Sequence, residues 1–579
     1  MSLFDKWLAV ASIFSTLSVL YFAGTIAYNL FLHPLRKFPG PLLMRATRWP
    51  YLYKVVAGTL PFDMLDLHNQ YGDVVRVAPN ELAFFDEKTW KDIMGHRTQG
   101  RSEFAKPLFF YNPTNGPTNI VSSTGPEHAM LRRQLAPGFS EKSLRSQQPI
   151  IMRYIDLLML RLHERCKYGN VDLMSWYNFT TFDIIGDLTF GESFQCLEKS
   201  DYNPWVRNIF ALVKVNCVMQ QCAHFPWLRK LLANILSSPV ARSQQSCHRE
   251  STRHKLLRRI ELGKNQERPD LIEGLLKKKD EWNISTSYIT KNAGVLIVAG
   301  SESSATGLSG ITYLLAKNPE SLRKLTEEIR SSFDSEEEID FVSVNKLTYL
   351  MACVDEGMRM YPPVPCGFPR IAPNEGATVS GHFVPKDTIV AIHQWATYHS
   401  ERNFKKPSEF HPERFLGDPE FELDRRDALQ PFHIGPRGCL GRNLAYVEMK
   451  VILARLIWNF NFTLAPESNQ WMESQKIYNL WEKGPMMFKL EPFNHVLALS
   501  FGVLFCDGIG AVVIPGLAAP KISLTRPQSD VAKPQDKVRL SDPQSDTGFV
   551  KPNTKANTGS GDQFSKPFFR IGTPKQQTD

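Results

Sequence analysis

The chain has no zinc-type spacing of cysteine and histidine, no nucleic-acid-binding motif, no flavin- or dinucleotide-binding segment and no internal repeat. The first two absences argue against a structural zinc module and against nucleic acid as a partner. The third means that any redox chemistry must draw its electrons from outside the chain. Disulfide patterning is missing too. The nine cysteines (Cys166, Cys196, Cys217, Cys222, Cys247, Cys353, Cys366, Cys439, Cys506) are scattered and odd in number. That points to a reducing compartment, with most of them serving as small buried hydrophobes. The net charge of +9 is modest and not gathered into one run. It suits an acidic partner or an anionic membrane face. A length of 579 residues allows one large domain with appendages, or two to three ordinary domains.

Charge is absent altogether from Trp7 to Leu32. A run of about 26 residues suffices for a helix to cross a hydrocarbon core, and it is too long for a cleaved signal peptide. HPLRKFPGP (His33–Pro41) follows it. Arg36 and Lys37 there place the rest of the chain on the cytosolic side, and Pro34, Pro39 and Pro41 predict a stiff, non-helical strut. The reading is a membrane anchor over residues 1–35.

Residues 36–495 read as one large domain. Helical periodicity appears over Asp270–Trp282 and Pro319–Phe333. Tyr288–Leu315 is long and apolar, but Lys291, Glu302 and many small residues interrupt it, so it predicts a buried core helix. Asp73–Pro79, Glu81–Asp86 and Asp387–Trp395 predict strands. Residues 496–579 are atypical. An apolar stretch carrying Asp507 gives way to Pro, Lys, Ser, Thr and Gln, which predicts a disordered extension; a second membrane span within 496–514 is the competing reading.

The chemistry gathers at FHIGPRGCLG (Phe432–Gly441). A nucleophilic thiol would need a base partner, and zinc would need more ligands than this loop offers. A single cysteine among glycines fits an axial ligand to a flat cofactor. Gly435, Gly438 and Gly441 would let backbone approach the ring and aim amides at sulfur, and Arg437 could pair with a cofactor carboxylate. The helical pattern after Gly441 would put the thiolate at a helix N-terminus.

FHIGPRGCLG resembles the haem-binding signature F-x-x-G-x-R-x-C-x-G of the cytochrome P450 family at every fixed position, through Phe432, Gly435, Arg437, Cys439 and Gly441. The resemblance implies a mainly α fold with small β-sheets, haem b with Cys439 as the iron ligand, and monooxygenation. Further motifs extend it from Leu32 to Pro492. EGMR and HPERF supply Glu356, Arg359 and Arg414, a set that in the family locks the core behind the haem. AGSESS resembles the oxygen-binding element A-G-x-[DE]-T-[TS]. It implies that Ala299 and Gly300 make room for dioxygen and that Glu302 with Ser303 relays protons. Ser303 stands where threonine is usual, and Ser304 could compete for the role. EHAMLRRQ implies His128 and Arg132 as propionate partners, with Arg370 a further candidate. Phe109, Phe110, Val298 and Val364 are candidate substrate-lining residues.

The resemblance is nearest to fungal microsomal members of secondary metabolism, of the isotrichodermin C-15 hydroxylase type. It implies an endoplasmic-reticulum location, a lipophilic terpenoid, polyketide or alkaloid substrate, and dioxygen. Electrons would come from NADPH through NADPH–cytochrome P450 reductase, docked on basic residues including Arg442 and Lys450, with cytochrome b5 as a second candidate donor. Two alternatives stand beside it: a haem-thiolate isomerase or dehydratase needing no dioxygen, and a haem-binding protein without turnover.

Overall fold

The computed structural model describes residues 3–97, 102–112, 116–202, 204–236, 250, 252–261, 263 and 270–495. The expectations for 496–579, and for Cys247 and Cys506, lie outside them. The helices that matter below are α1 (Leu3–Ala27), α2 (Gly125–Leu135), α3 (Glu141–Arg165), α4 (Leu173–Phe190), α5 (Pro204–Cys222), α6 (Thr286–Lys317), α7 (Pro319–Ser332), α8 (Thr348–Met360) and α9 (Arg442–Asn459). The strands are β1 (Val74–Ala78), β2 (Glu81–Phe84), β3 (Val171–Asp172), β4 (Arg370–Ile371), β5 (Ala377–Val379), β6 (His382–Val384), β7 (Ile389–Ile392), β8 (Phe460–Leu464), β9 (Lys476–Tyr478), β10 (Leu480–Glu482) and β11 (Met487–Pro492).

α1 runs on through a wider turn, Tyr28–Leu32, and none of its residues is buried. A helix apolar on every face and uncovered by protein is long enough to cross a bilayer. Its foot is fastened rather than loose. Asn29 Nδ2 donates to Ala46 O at 2.8 Å, and Arg76 NH1 donates to Asn29 O at 2.9 Å. Leu35 and Phe38 bury themselves in the cluster beneath the sheet, and Arg76 N donates to Pro39 O at 2.7 Å. Gly40 (φ 155°) lies so close to Arg76 that a side chain there would strike its carbonyl.

The main core gathers α3, α4, α6, α8 and α9. α4 is buried almost all round, as an apolar helix at the centre of a large domain must be. α6 lies against it. Its start is capped by Ser285, whose Oγ accepts from Tyr288 N at 3.2 Å. Gly300 lets the two helices approach, because a Cβ there would come within 2.7 Å of Ile185 Cδ1.

A four-stranded sheet in the order β1-β2-β7-β4 covers a second cluster of apolar side chains. β7 runs parallel to β2 and antiparallel to β4, pairing Val390 with Arg370. The β9–β10 hairpin and the sheet β3-β11-β8 complete the domain. Two expectations are corrected. Asp270–Trp282 is helical only over Glu273–Lys277, after which the chain runs in turns to the left-handed Asn283 (φ 48°). The strand expected over Asp387–Trp395 is Ile389–Ile392, after which the chain turns into the helix Gln394–Tyr398.

Candidate active site

The loop before α9 folds back on itself. Cys439 N donates to Phe432 O at 2.8 Å, and Gly438 N to Gly435 O at 3.1 Å. Gly435 (φ 72°) is required by packing, since a side chain there would collide with the Met94 carbonyl. Gly441 is the glycine beside sulfur, where a Cβ would sit 4.0 Å from Cys439 Sγ. The thiol is solvent-accessible although protein surrounds it, so it lies on the wall of an internal space. Burial pushes the thiol up, opposed by the Gly441 amide and by the Arg132 and Arg442 guanidiniums. Those opposing groups are what would hold a thiolate there. Phe432 packs its ring on Tyr446 at 5.1 Å.

The expected carboxylate partners do converge. Arg132 NH1 donates to Gly438 O at 2.7 Å, and Arg437 NH1 to Ser123 O at 2.8 Å. Arg370, from β4, donates to Tyr111 Oη. His128 is lowered to about 3 by burial and by the charges of Arg437, Lys106, Arg132 and Arg370. Lys106, which no sequence signal marked, is lowered to about 6 by burial and by Arg370 and Arg437. Glu103, half-exposed, approaches Arg437 at 3.6 Å. The cluster carries more positive charge than that carboxylate balances, and the two carboxylates of a haem edge fit it.

On α6, Ala299 is exposed in mid-helix and Ser303 is partly exposed. Ser303 Oγ donates to the Ala299 carbonyl at 2.6 Å. Glu302 points elsewhere, buried and paired with Lys483 and Thr306. The expected acid–alcohol pair is therefore not in contact. Gly300 packs against α4, and Ser304 is buried beside Glu448.

Behind the loop the Glu356, Arg359 and Arg414 side chains meet, all fully buried. Arg359 grips both oxygens of Glu356, at 2.8 and 2.9 Å, and Arg414 Nε donates to Oε2 at 3.1 Å. His411 N adds a bond to Oε1 at 2.9 Å. Asp424, unmarked in the sequence, pairs with Arg414.

Phe109 and Phe110 line a cleft with Tyr51, Cys217, His224 and Cys366; Val298 and Val364 are not among its lining residues. Of the two proposed docking charges, Arg442 is exposed, but Lys450 is buried with its Nζ on Asn345. Lys450 is thereby corrected, because a charge engaged inside the core cannot meet a partner.

A mostly helical domain presenting the accessible Cys439 thiol just before a helix start, near a cationic cluster, fits a thiolate-ligated cofactor protein. The family model described as Cytochrome P450 matches residues 45–490. Cytochrome P450 monooxygenase prhB of Penicillium brasilianum is 43% identical over 484 residues, covering 83% of this chain and 98% of its own length. Cytochrome P450 monooxygenases aclL of Aspergillus oryzae and tpeC of Talaromyces stipitatus are also 43% identical, over 483 and 490 residues. These alignments cover 82% and 83% of this chain, and 97% and 95% of the relatives. The chain belongs to the cytochrome P450 family, as an oxidoreductase of the monooxygenase type. Haem iron with a cysteine thiolate is the cofactor that family membership implies.

Proposed function

We propose that the chain inserts one oxygen atom from dioxygen into a lipophilic small molecule of fungal secondary metabolism, a terpenoid, polyketide or alkaloid scaffold. It works from the endoplasmic-reticulum membrane, held by α1, with residues 36–495 in the cytosol. Electrons come from NADPH through NADPH–cytochrome P450 reductase, with cytochrome b5 as a further donor. The observation that carries this is Cys439, accessible within the domain and facing the cationic rim.

Haem, when bound, supplies the activation of dioxygen and the oxygen insertion. The chain's own residues do the rest. Cys439 would hold the haem iron through its thiolate, with the Gly441 amide and the Arg132 and Arg442 guanidiniums offsetting the negative charge. Arg437, Arg370, Arg132, His128 and Lys106 hold the cofactor carboxylates. Arg132 bridges the two tasks, since it also grips the Gly438 carbonyl. Ala299 would leave space beside the cofactor, and Ser303 Oγ would deliver protons into it. Arg442 offers charge to an acidic electron donor at the exposed start of α9.

The test is spectroscopic and chemical. The reduced protein under carbon monoxide should show the red-shifted Soret band of thiolate ligation, and Cys439→Ala should lose it. Deleting the gene in its host should accumulate a lipophilic precursor, which the purified enzyme should oxidise only with NADPH, reductase and dioxygen. Product formed under nitrogen without reductant would overturn the monooxygenase reading.

A further inference from the structure

The Phe109–Phe110 cleft is closed by the end of α5. Phe225, just past that helix, stacks on Trp49 at 4.3 Å. Gln220 ties α5 to two neighbours: its Nε2 donates to Phe110 O at 3.0 Å, and its Oε1 accepts from Asn479 Nδ2 at 2.8 Å. Pro369 also lines the cleft. Tyr111 Oη donates to the Pro369 carbonyl at 3.2 Å and accepts from Arg370. The cleft therefore adjoins the cationic cluster. Its free volume is about 30 Å³, which admits the tip of a molecule and not a whole scaffold.

The lining holds charge only where that charge is already engaged. Arg48 and Glu81 pair with each other, their side chains 10% and 4% exposed. His224, edge-on to Phe109 at 4.3 Å, is lowered to about 3 by burial and by Arg48. His393 is lowered to about 3 by burial and by His68. Burial pushes the Cys217 thiol up to about 12 and raises Tyr51 and Cys366 as well. All of these groups are uncharged near neutrality.

Hydrogen bonding is what the cleft leaves open. Gln221 Oε1 and both ring nitrogens of His393 are buried without a hydrogen-bond partner among the described residues. The two residues are 7% and 2% exposed, and both line the cleft. A neutral imidazole has one donor and one acceptor, so the idle set is two acceptors and one donor. A buried polar atom left unpaired costs more than a made bond returns.

We propose that this cleft is a specificity pocket for a neutral hydroxyl group on the substrate, with Gln221 and His393 as its specificity-determining residues. A hydroxyl gives its proton to one of the acceptors and receives the imidazole N–H on its oxygen. An ether or ketone meets only the donor and leaves both acceptors unpaired. A carboxylate finds Arg48 already taken by Glu81 and brings more acceptors to a set that lacks donors. This inference rests on the monooxygenase reading above and narrows its substrate to a lipophilic scaffold that already carries a hydroxyl.

The experiment uses the full-length haem-loaded enzyme and four probes of one ring type: thymol, thymol methyl ether, p-cymene and cuminic acid. Each is titrated while the Soret band is followed, which reads binding without turnover. A site built to pair a hydroxyl discriminates strongly against analogues that lack it. Thymol should bind at least tenfold more tightly than its methyl ether or p-cymene, and cuminic acid should bind more weakly than thymol. Gln221→Leu should bring the thymol-to-ether ratio below threefold by weakening thymol, with binding of the ether unchanged. His393→Phe should move the ratio the same way.

A wild-type ratio near one would overturn the proposal, because a cleft that holds only water treats the two probes alike. A wild-type ratio retained in Gln221→Leu would overturn it too. If Gln221→Leu lacks the carbon monoxide band, Gln221→Met, closer in shape to glutamine, takes its place under the same criteria. Product formed without dioxygen or reductant would instead strike the monooxygenase reading and leave the binding ratios standing.

Discussion

Two regions of the domain bury a glutamate beside a cation, and they are built to opposite standards. Behind the cysteine loop, both oxygens of Glu356 are taken by Arg359, Arg414 and the His411 amide. Arg359 spends its remaining donors on the carbonyls of Tyr398, Pro407 and Glu409. In α6, Glu302 has one oxygen engaged and one idle. A buried carboxylate with every lone pair committed cannot move without breaking several bonds. One with an idle oxygen has an alternative orientation close in energy. The first arrangement suits a brace, and the second suits a group that must change partners during a cycle. Glu448 extends the series, buried without a cation and with the Ser304 hydroxyl as its polar neighbour.

The comparison breaks or holds on stability. Glu356→Ala strands two buried guanidiniums and should cost about 3–5 kcal/mol, enough to prevent haem incorporation. Glu302→Gln should cost about 1–3 kcal/mol in chemical denaturation and still yield a carbon monoxide band. Equal losses from the two would erase the distinction.

Glu448 sharpens it through pH. Burial pushes its carboxyl up to about 8, against an ordinary 4.5, with Ser304 opposing. The folded state then binds more protons than the unfolded one between those values, so stability falls as pH rises from 5 to 8. That loss amounts to up to about 5 kcal/mol. Glu448→Gln should lose less melting temperature across the interval than wild type does. An identical slope would remove Glu448 as its source.

The smallest effect is expected at the end of the domain. Phe493 lies under Arg330 at 3.6 Å, and His495 stacks on Trp458 at 3.9 Å. Ending the chain after His495 should leave the haem spectrum unchanged, and ending it before Phe493 should lower the melting temperature. Loss of the spectrum in the longer form would give residues 496–579 a part in the fold.

Local sequence carried the cysteine loop, because its residues act on one another within ten positions. It carried the Glu356 set as well, through two short motifs. It did not carry Lys483, whose partner Glu302 lies 181 residues away. Nor did it show that Gly435 packs against Met94. Helical phase alone separates Ser303 from Ser304, but which side meets the active-site space depends on how α6 rests on α4 and α9. Lys450 misled for the same reason. A lysine on a helix buried nearly all round needs an internal partner, and Asn345 comes from a distant turn.

The fastened foot of α1 has a consequence for encounter. Asn29, Arg76 and Gly40 join the membrane helix to the sheet through bonds and close backbone contact, so the domain is mounted on a bracket rather than a leash. With α1 set in a bilayer as proposed, a bracketed domain would keep one tilt above it and turn about a single axis. On the proposed reading, a donor anchored in the same membrane would search two dimensions and one angle, with the exposed Arg442 presented at a fixed height.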